Sequence, residues 1–306
     1  MTRRPVWFMA DRNRISMGDD IFEVKIGWSW LKLNVNALAR RLRGQPTGTF
    51  NPADHVAKRF LDLFEAHGVK GTQIPRFVPA VTLAALQSTE KLLPVLTPPI
   101  LEQTARLFGI QRVWLEGATD RLYDTRTCYK QPARLFEHLR ELPFRQGEFQ
   151  LRALTSVKEL DFQSSEYQPL ALVLVEKVAE VDDVDALWPI ERYHVYGDSW
   201  DWSHFPARIQ LKAMARVIDH LGHQPIPIYR VKRNELDAVL EGRCVPRPFV
   251  NRGLVTSPSL EDYGNSVAEH AQAKETAELP TVVEYVERYD LVWYWRGETT
   301  LGTEGE

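Results

Sequence analysis

The 306-residue sequence predicts an α+β protein, an N-terminal helical bundle followed by a mixed α/β domain, and three observations carry that expectation. Between residues 54 and 123, apolar residues recur every three or four positions and the runs end at glycine, the pattern of short amphipathic helices. From residue 149 onward the texture changes to β-favouring runs, FQLRALTSV, PLALVLVEKV and IERYHVYG, alternating with helical ones. The composition, 44% hydrophobic and 26% charged, is that of an ordinary folded chain.

Taken in order, residues 6–33 read as a hairpin or pair of strands around RNRISMGDD, and 34–44 as a short helix capped by asparagine and ended by Gly44. QPTGTFNP is a loop by its Pro, Gly and Thr content. Asp54 caps HVAKRFLDLFEAHG, whose Val56, Phe60, Leu63 and Phe64 form one face before Gly68 ends it. Two short segments follow, GTQIPRFV (71–78) and VTLAALQS (81–88), separated by Pro79. The stretch ILEQTARLFGIQRVWLEG gives a helix stopped at Gly109, a turn of Val113, Trp114 and Leu115, and Gly117 in a left-handed closing position. CYKQPARLFEHLRELPF holds a connecting helix. Strands at 149–157, 169–178 and 190–197, a helix at 207–221, a strand at 226–232 and a helix at 234–241 complete the α/β region. A loop, a helix in SVAEHAQAKETAE, a helix running into a strand in TVVEYVERYDLVWYWRG and a polar tail come last.

The order of helices in 54–123, and above all the phrase ARLFGIQRVWLEGA, resembles the helix-turn-helix domain of the phage-repressor superfamily, that of lambda repressor and Cro. The resemblance covers about 70 residues. It implies a transcriptional regulator that binds DNA as a homodimer, with one helix bracing the backbone and the next lying in the major groove. By position the brace holds Thr72, Gln73 and Arg76, and the reading helix presents Thr82, Gln87 and Ser88. Arg40 and Arg41 add basic charge for phosphate contacts. The second reading is a protein-interaction scaffold, in which VTLAALQSTEKLLPVL packs as core and the helix-turn-helix shell does not read DNA.

The expected organisation is therefore strands and a short helix in 1–53, the helix-turn-helix-like domain in 54–125, a connecting helix in 126–148, an α/β sensor or assembly domain in 149–250, and a helical, acidic segment in 251–306. Charge follows the same division. Residues 36–76 carry a net +4 and residues 257–306 a net −8, within a chain of net charge −3. The basic front permits nucleic-acid contact without requiring it.

The densest group of chemically capable side chains is HVYGDSWDWSHFPAR. His194, Asp198, Trp200, Trp202, His204 and Arg208 are the candidate ligand-binding residues, because indoles give flat apolar walls while carboxylates and imidazoles give oriented polar contacts. The alternative is that both tryptophans are core or interface anchors whose N–H groups find backbone partners. Arg208, Lys212 and Arg216 recur every four residues and are expected on a solvated helix face.

An enzyme centred on 194–208 is a third and weaker reading. The spacing of His194, Asp198 and His204 matches no metal motif, no Gly-rich phosphate loop is present, and Ser199 and Ser203 lack a nucleophile elbow. No catalytic residue, metal or cofactor is assigned. Cys128 and Cys244 stand alone, as expected of free thiols in a reducing cytoplasm. The longest apolar run falls short of a membrane span, so no membrane partner is expected.

Overall fold

The computed structural model describes residues 52–142, 149–161, 163–183, 186–220, 226–249 and 278–292. The elements expected in 1–51, the helix expected over 266–277, and Arg40 and Arg41 lie outside the described residues. An α+β architecture is present: a mixed five-stranded sheet with helices before, between and after its strands.

The helical stretch begins with α1 (Pro52–Ala66), so Asp54 falls in the first turn and not at the cap. Proline opens a helix well, since the N–H it lacks has no partner there anyway. One-turn helices α2 (Ile74–Phe77) and α3 (Thr89–Leu92) follow, then α4 (Pro98–Phe108) and α5 (Arg112–Leu115). As the glycine pattern requires, Gly109 ends α4 with φ +67° and Gly117 follows α5 with φ +84°. Phe60 and Phe64 pack 4.9 Å apart between ring centroids, and Phe108 of α4 meets Phe64 edge-on at 5.0 Å. Arg59 lies over the Trp114 ring and donates to the carbonyls of Trp114 and Thr119, tying α1 to the close of α5.

The segment expected to supply a bracing and a reading helix is built differently. Gly71–Gln73 is a 3-10 turn, α2 has four residues, and 81–88 contains only the 3-10 turn Ala85–Gln87. Pro79 disfavours helical backbone at Val78, which sits at φ −129°, ψ 81°. Val78, Val81 and Ala85 are drawn into the core three and four residues apart, the spacing of one helix face, yet the backbone between them holds no continuous helix. Among the described residues, nothing in 71–88 has the length of a groove-reading helix.

After the connecting helix α6 (Ala133–Glu141) the sheet is laid down as β1 (Phe149–Thr155), β2 (Pro169–Asp183), β3 (Ala186–Val195), the two-residue β4 (Trp200–Asp201) and β5 (Ile228–Arg230). The spatial order is β3-β2-β1-β5, with β4 also paired to β2. β1 is antiparallel to β2, in register from Phe149 opposite Glu176 to Thr155 opposite Leu170, and parallel to β5. The parallel connection runs through α7 (Phe205–His220). α8 (Arg233–Leu240) follows β5, and α9 (Leu279–Arg288) packs against α7.

In β2 every residue from Leu170 to Glu176 is buried. An unbroken apolar run in a strand means both sheet faces are covered. Ala171, Val173 and Val175 share one core with Phe60, Leu101 and Phe108 of the helical stretch. Leu170, Leu172 and Leu174 share the other with α6, α7 and Val282 of α9. The stretches 54–125 and 149–250, expected as separate domains, therefore meet across one sheet face, and α6 belongs to the core on the opposite face.

β2 is more than twice as long as β1, so beyond residue 176 it pairs only with β3 among the described residues. The result is a two-stranded ribbon with a bulge between Lys177 and Ala179. Val181 and Ile190 are buried, whereas Leu187 is 60% and Trp188 48% exposed. Pro189 stands in the outer strand, where a residue without an N–H is tolerated and further strand pairing is discouraged.

Candidate functional site

The six residues of the expected pocket do not converge on one. Trp200 and Trp202 are both 0% exposed and lie in the core between the sheet and α7, as the core-anchor alternative requires. The backbone partners that this alternative expects for their indole N–H groups are not found among the described residues. The Asp198 carboxylate accepts from the Thr127 hydroxyl at 2.6 Å and from the backbone N–H groups of Cys128 and Tyr129 at 2.6 and 3.0 Å, which pins the chain entering α6. His204 is exposed at the start of α7, and His194 turns to other partners. A strand-to-helix loop rich in functional groups is used here to fasten neighbouring segments, not to line a cleft.

Arg208 and Lys212 leave the expected solvated face altogether, being 3% and 1% exposed. Glu278, just before α9, receives Arg208 through Nε at 3.1 Å and Nη2 at 2.6 Å, and the Lys212 ammonium at 2.6 Å. Arg208 also donates to the Trp202 carbonyl, and Lys212 lies over the Trp202 ring. Burial by itself pushes the Glu278 carboxyl up. The hydrogen bonds and charges of Arg208 and Lys212 outweigh it and hold the group below the usual carboxylate range. Two cations on one helix thus clasp a carboxylate from a segment some seventy residues away.

A second polar cluster joins β2, β3 and α6. Glu176 is opposite Arg192 in register, and its carboxylate accepts from Arg192 Nη1 at 3.2 Å and from His194 Nε2 at 3.0 Å. Arg192 stands on the edge strand and also donates to the carbonyls of Leu107 and Arg106, so it caps the C-terminus of α4. The His194 ring meets His138 of α6 edge-on at 4.8 Å, and His138 Nδ1 is hydrogen-bonded to the Tyr196 hydroxyl at 2.8 Å. Burial raises the Glu176 carboxyl, but the His194 hydrogen bond and the Arg192 charge reverse this and lower it overall. Burial, with Arg126 and His194 adding to it, pushes His138 down to about 3, so its ring stays neutral. The sequence signal for this cluster was a glutamate closing the apolar run PLALVLVE and a histidine on the buried side of α6.

The residues assigned to DNA lie on the surface, but most are locally occupied. Thr72, Arg76, Thr82 and Gln87 are exposed. Gln73 Oε1 accepts the Lys70 N–H at 2.9 Å, Thr82 Oγ accepts the Ala85 N–H at 3.3 Å, and Ser88 Oγ caps α3 by accepting the Lys91 N–H. Gln87 accepts from the Lys91 ammonium at 2.6 Å. Short polar side chains next to turns satisfy the turn's own backbone first.

Both cysteines are free, and burial pushes both thiols up, Cys244 to about 12. Among the described residues, no three His, Cys, Asp or Glu side chains are grouped to hold a metal, and no helix is long and apolar enough to cross a membrane. Comparison of the chain with protein-family models, with curated proteins and with solved structures found no match.

Proposed function

We propose that the chain is a protein-interaction scaffold whose helical shell does not read DNA. The observation that carries this is the ribbon of β2 and β3, which holds Leu187 and Trp188 in water at successive positions of β3, one on each face of the ribbon. A large apolar side chain exposed on a folded element is a usual anchor of a protein interface, tryptophan most of all. Glu180 is exposed on the same ribbon, where it pairs with exposed Lys177, and Asp182 and Asp183 occupy register positions opposite Leu187 and Ala186. The partner is therefore a protein surface with an apolar cleft rimmed by lysine or arginine. A photo-crosslinking side chain at position 187, compared in cells with one at exposed Glu159, tests this. A protein adduct specific to position 187 supports it, and equal labelling at both positions or none at either refutes it.

DNA contact stands as the second reading, favoured by the exposure of Thr72, Arg76, Thr82 and Gln87 on one short stretch. It would work through the phosphate backbone more than through base edges, since the stretch lacks a helix to insert. Salt-dependent retention of random duplex DNA, lost in Arg76→Ala, would establish it. Absence of retention at 50 mM salt removes it.

A further inference from the structure

A hollow of about 310 Å³ opens between the start of α6 and the end of α9, bordered by Lys130, Arg134, Glu137, Tyr285, Tyr289 and Leu291. The geometry points to a binding site for a small aromatic anion, a single ring carrying a carboxylate or phosphate.

Charge comes first. Lys130 and Arg134 supply two cations to a hollow that also has Glu137 on its lining and Asp290 beside it; among the described residues neither cation has a carboxylate within 4 Å, and the Lys130 ammonium lies over the Tyr129 ring. Tyr285 and Tyr289 provide the flat surface, with ring centroids 4.4 Å apart and planes inclined at 36°. Tyr289 keeps half its surface in water, and buried Leu291 makes an apolar floor. A ring stacked on Tyr289 would place its anionic substituent toward Lys130 and Arg134. The volume suits a single ring, being at the small end of ligand cavities.

Backbone conformation gives a further, independent indication. Only two described non-glycine residues have positive φ, Lys130 at +60° and Asp290 at +45°. Lys130 borders this hollow, and Asp290, just past the end of α9, lies between its lining residues Tyr289 and Leu291. Such conformations are unfavourable for side-chain-bearing residues and gather where a ligand is clamped.

The test is calorimetric titration of the full chain with phenyl phosphate, benzoate and inorganic phosphate, each alone. Phenyl phosphate or benzoate is expected to bind at one site with a dissociation constant of about 1 mM or tighter, reasonable for a ligand of roughly ten non-hydrogen atoms. Tyr289→Ser and Lys130→Gln should each weaken binding at least fivefold, while Glu159→Gln leaves it unchanged. Both variant positions border solvent, and unchanged urea midpoints verify folding. The inference is overturned if neither aromatic anion saturates the protein, if inorganic phosphate binds as tightly as phenyl phosphate, or if Tyr289→Ser binds like the parent.

Discussion

Replacing Glu278 by alanine should unfold a large part of the molecule's stability, because the carboxylate is what makes two buried cations tolerable. Arg208 and Lys212 are 3% and 1% exposed, and Glu278 accepts from Arg208 at 2.6 and 3.1 Å and from Lys212 at 2.6 Å. Removing one partner of a buried ion pair costs about 3–5 kcal/mol, chiefly through the charge left behind. Glu278→Gln keeps the shape and part of the hydrogen bonding, so its cost should fall to about 2 kcal/mol. The assay is urea denaturation followed by tryptophan fluorescence, to which Trp202 beneath Lys212 contributes. With a slope of about 3 kcal/mol/M, alanine lowers the midpoint by about 1–1.7 M. The pH dependence has a definite sign. The folded carboxyl lies below its unfolded value, so its stabilisation is complete above the ordinary carboxylate range and disappears as pH falls through the folded pKa. The glutamine variant should lose less stability on that acid limb than the parent. A midpoint shift under 0.3 M for alanine, with no faster amide exchange in α9, would refute the reasoning.

Further expectations follow from buried rings and unusual backbone. His67 and His138 are both pushed down to about 3, mainly by burial. The unfolded chain therefore takes up protons first, and stability should fall by about 1.4 kcal/mol per pH unit per histidine from about pH 6.5 downward, halved in slope by His67→Leu. Lys130→Gly should raise stability by about 1 kcal/mol by relieving its left-handed backbone while abolishing anion binding; denaturation and calorimetry on one preparation check both. Gly109→Ala places a Cβ 2.7 Å from Arg192 Cγ at a residue with φ +67°, and should lower the thermal midpoint through a loss of about 1–2 kcal/mol. An unchanged melting temperature would show that Arg192 shifts freely.

Much of the secondary structure was legible because local rules decide it. The stops at Gly109 and Gly117 and the burial of PLALVLV all follow from nearest-neighbour chemistry. The site was far less legible. Glu278 is an unremarkable glutamate until the chain brings it to Arg208 and Lys212, and periodicity alone reads those cations as a wet stripe. Thr82, Gln73 and Ser88 have the side chains a DNA reader needs, yet those same oxygens are ideal partners for the backbone beside them. Trp200 and Trp202 look like pocket walls in a sequence, where nothing distinguishes a wall from a core. The shared core was missed because two amphipathic patterns, each suited to its own domain, are equally suited to each other.

The cover that α1 and α4 give to the sheet also sets a timetable for biosynthesis. These helices leave the ribosome complete at Phe108, but β2, which carries Ala171, Val173 and Val175 of their shared core, begins at Pro169, some sixty residues later. At about 5–20 residues per second that leaves their oily stripes unprotected for several seconds. A nascent chain arrested near residue 150 is then a natural client for a holding chaperone, and release should coincide with emergence of β2 and β3.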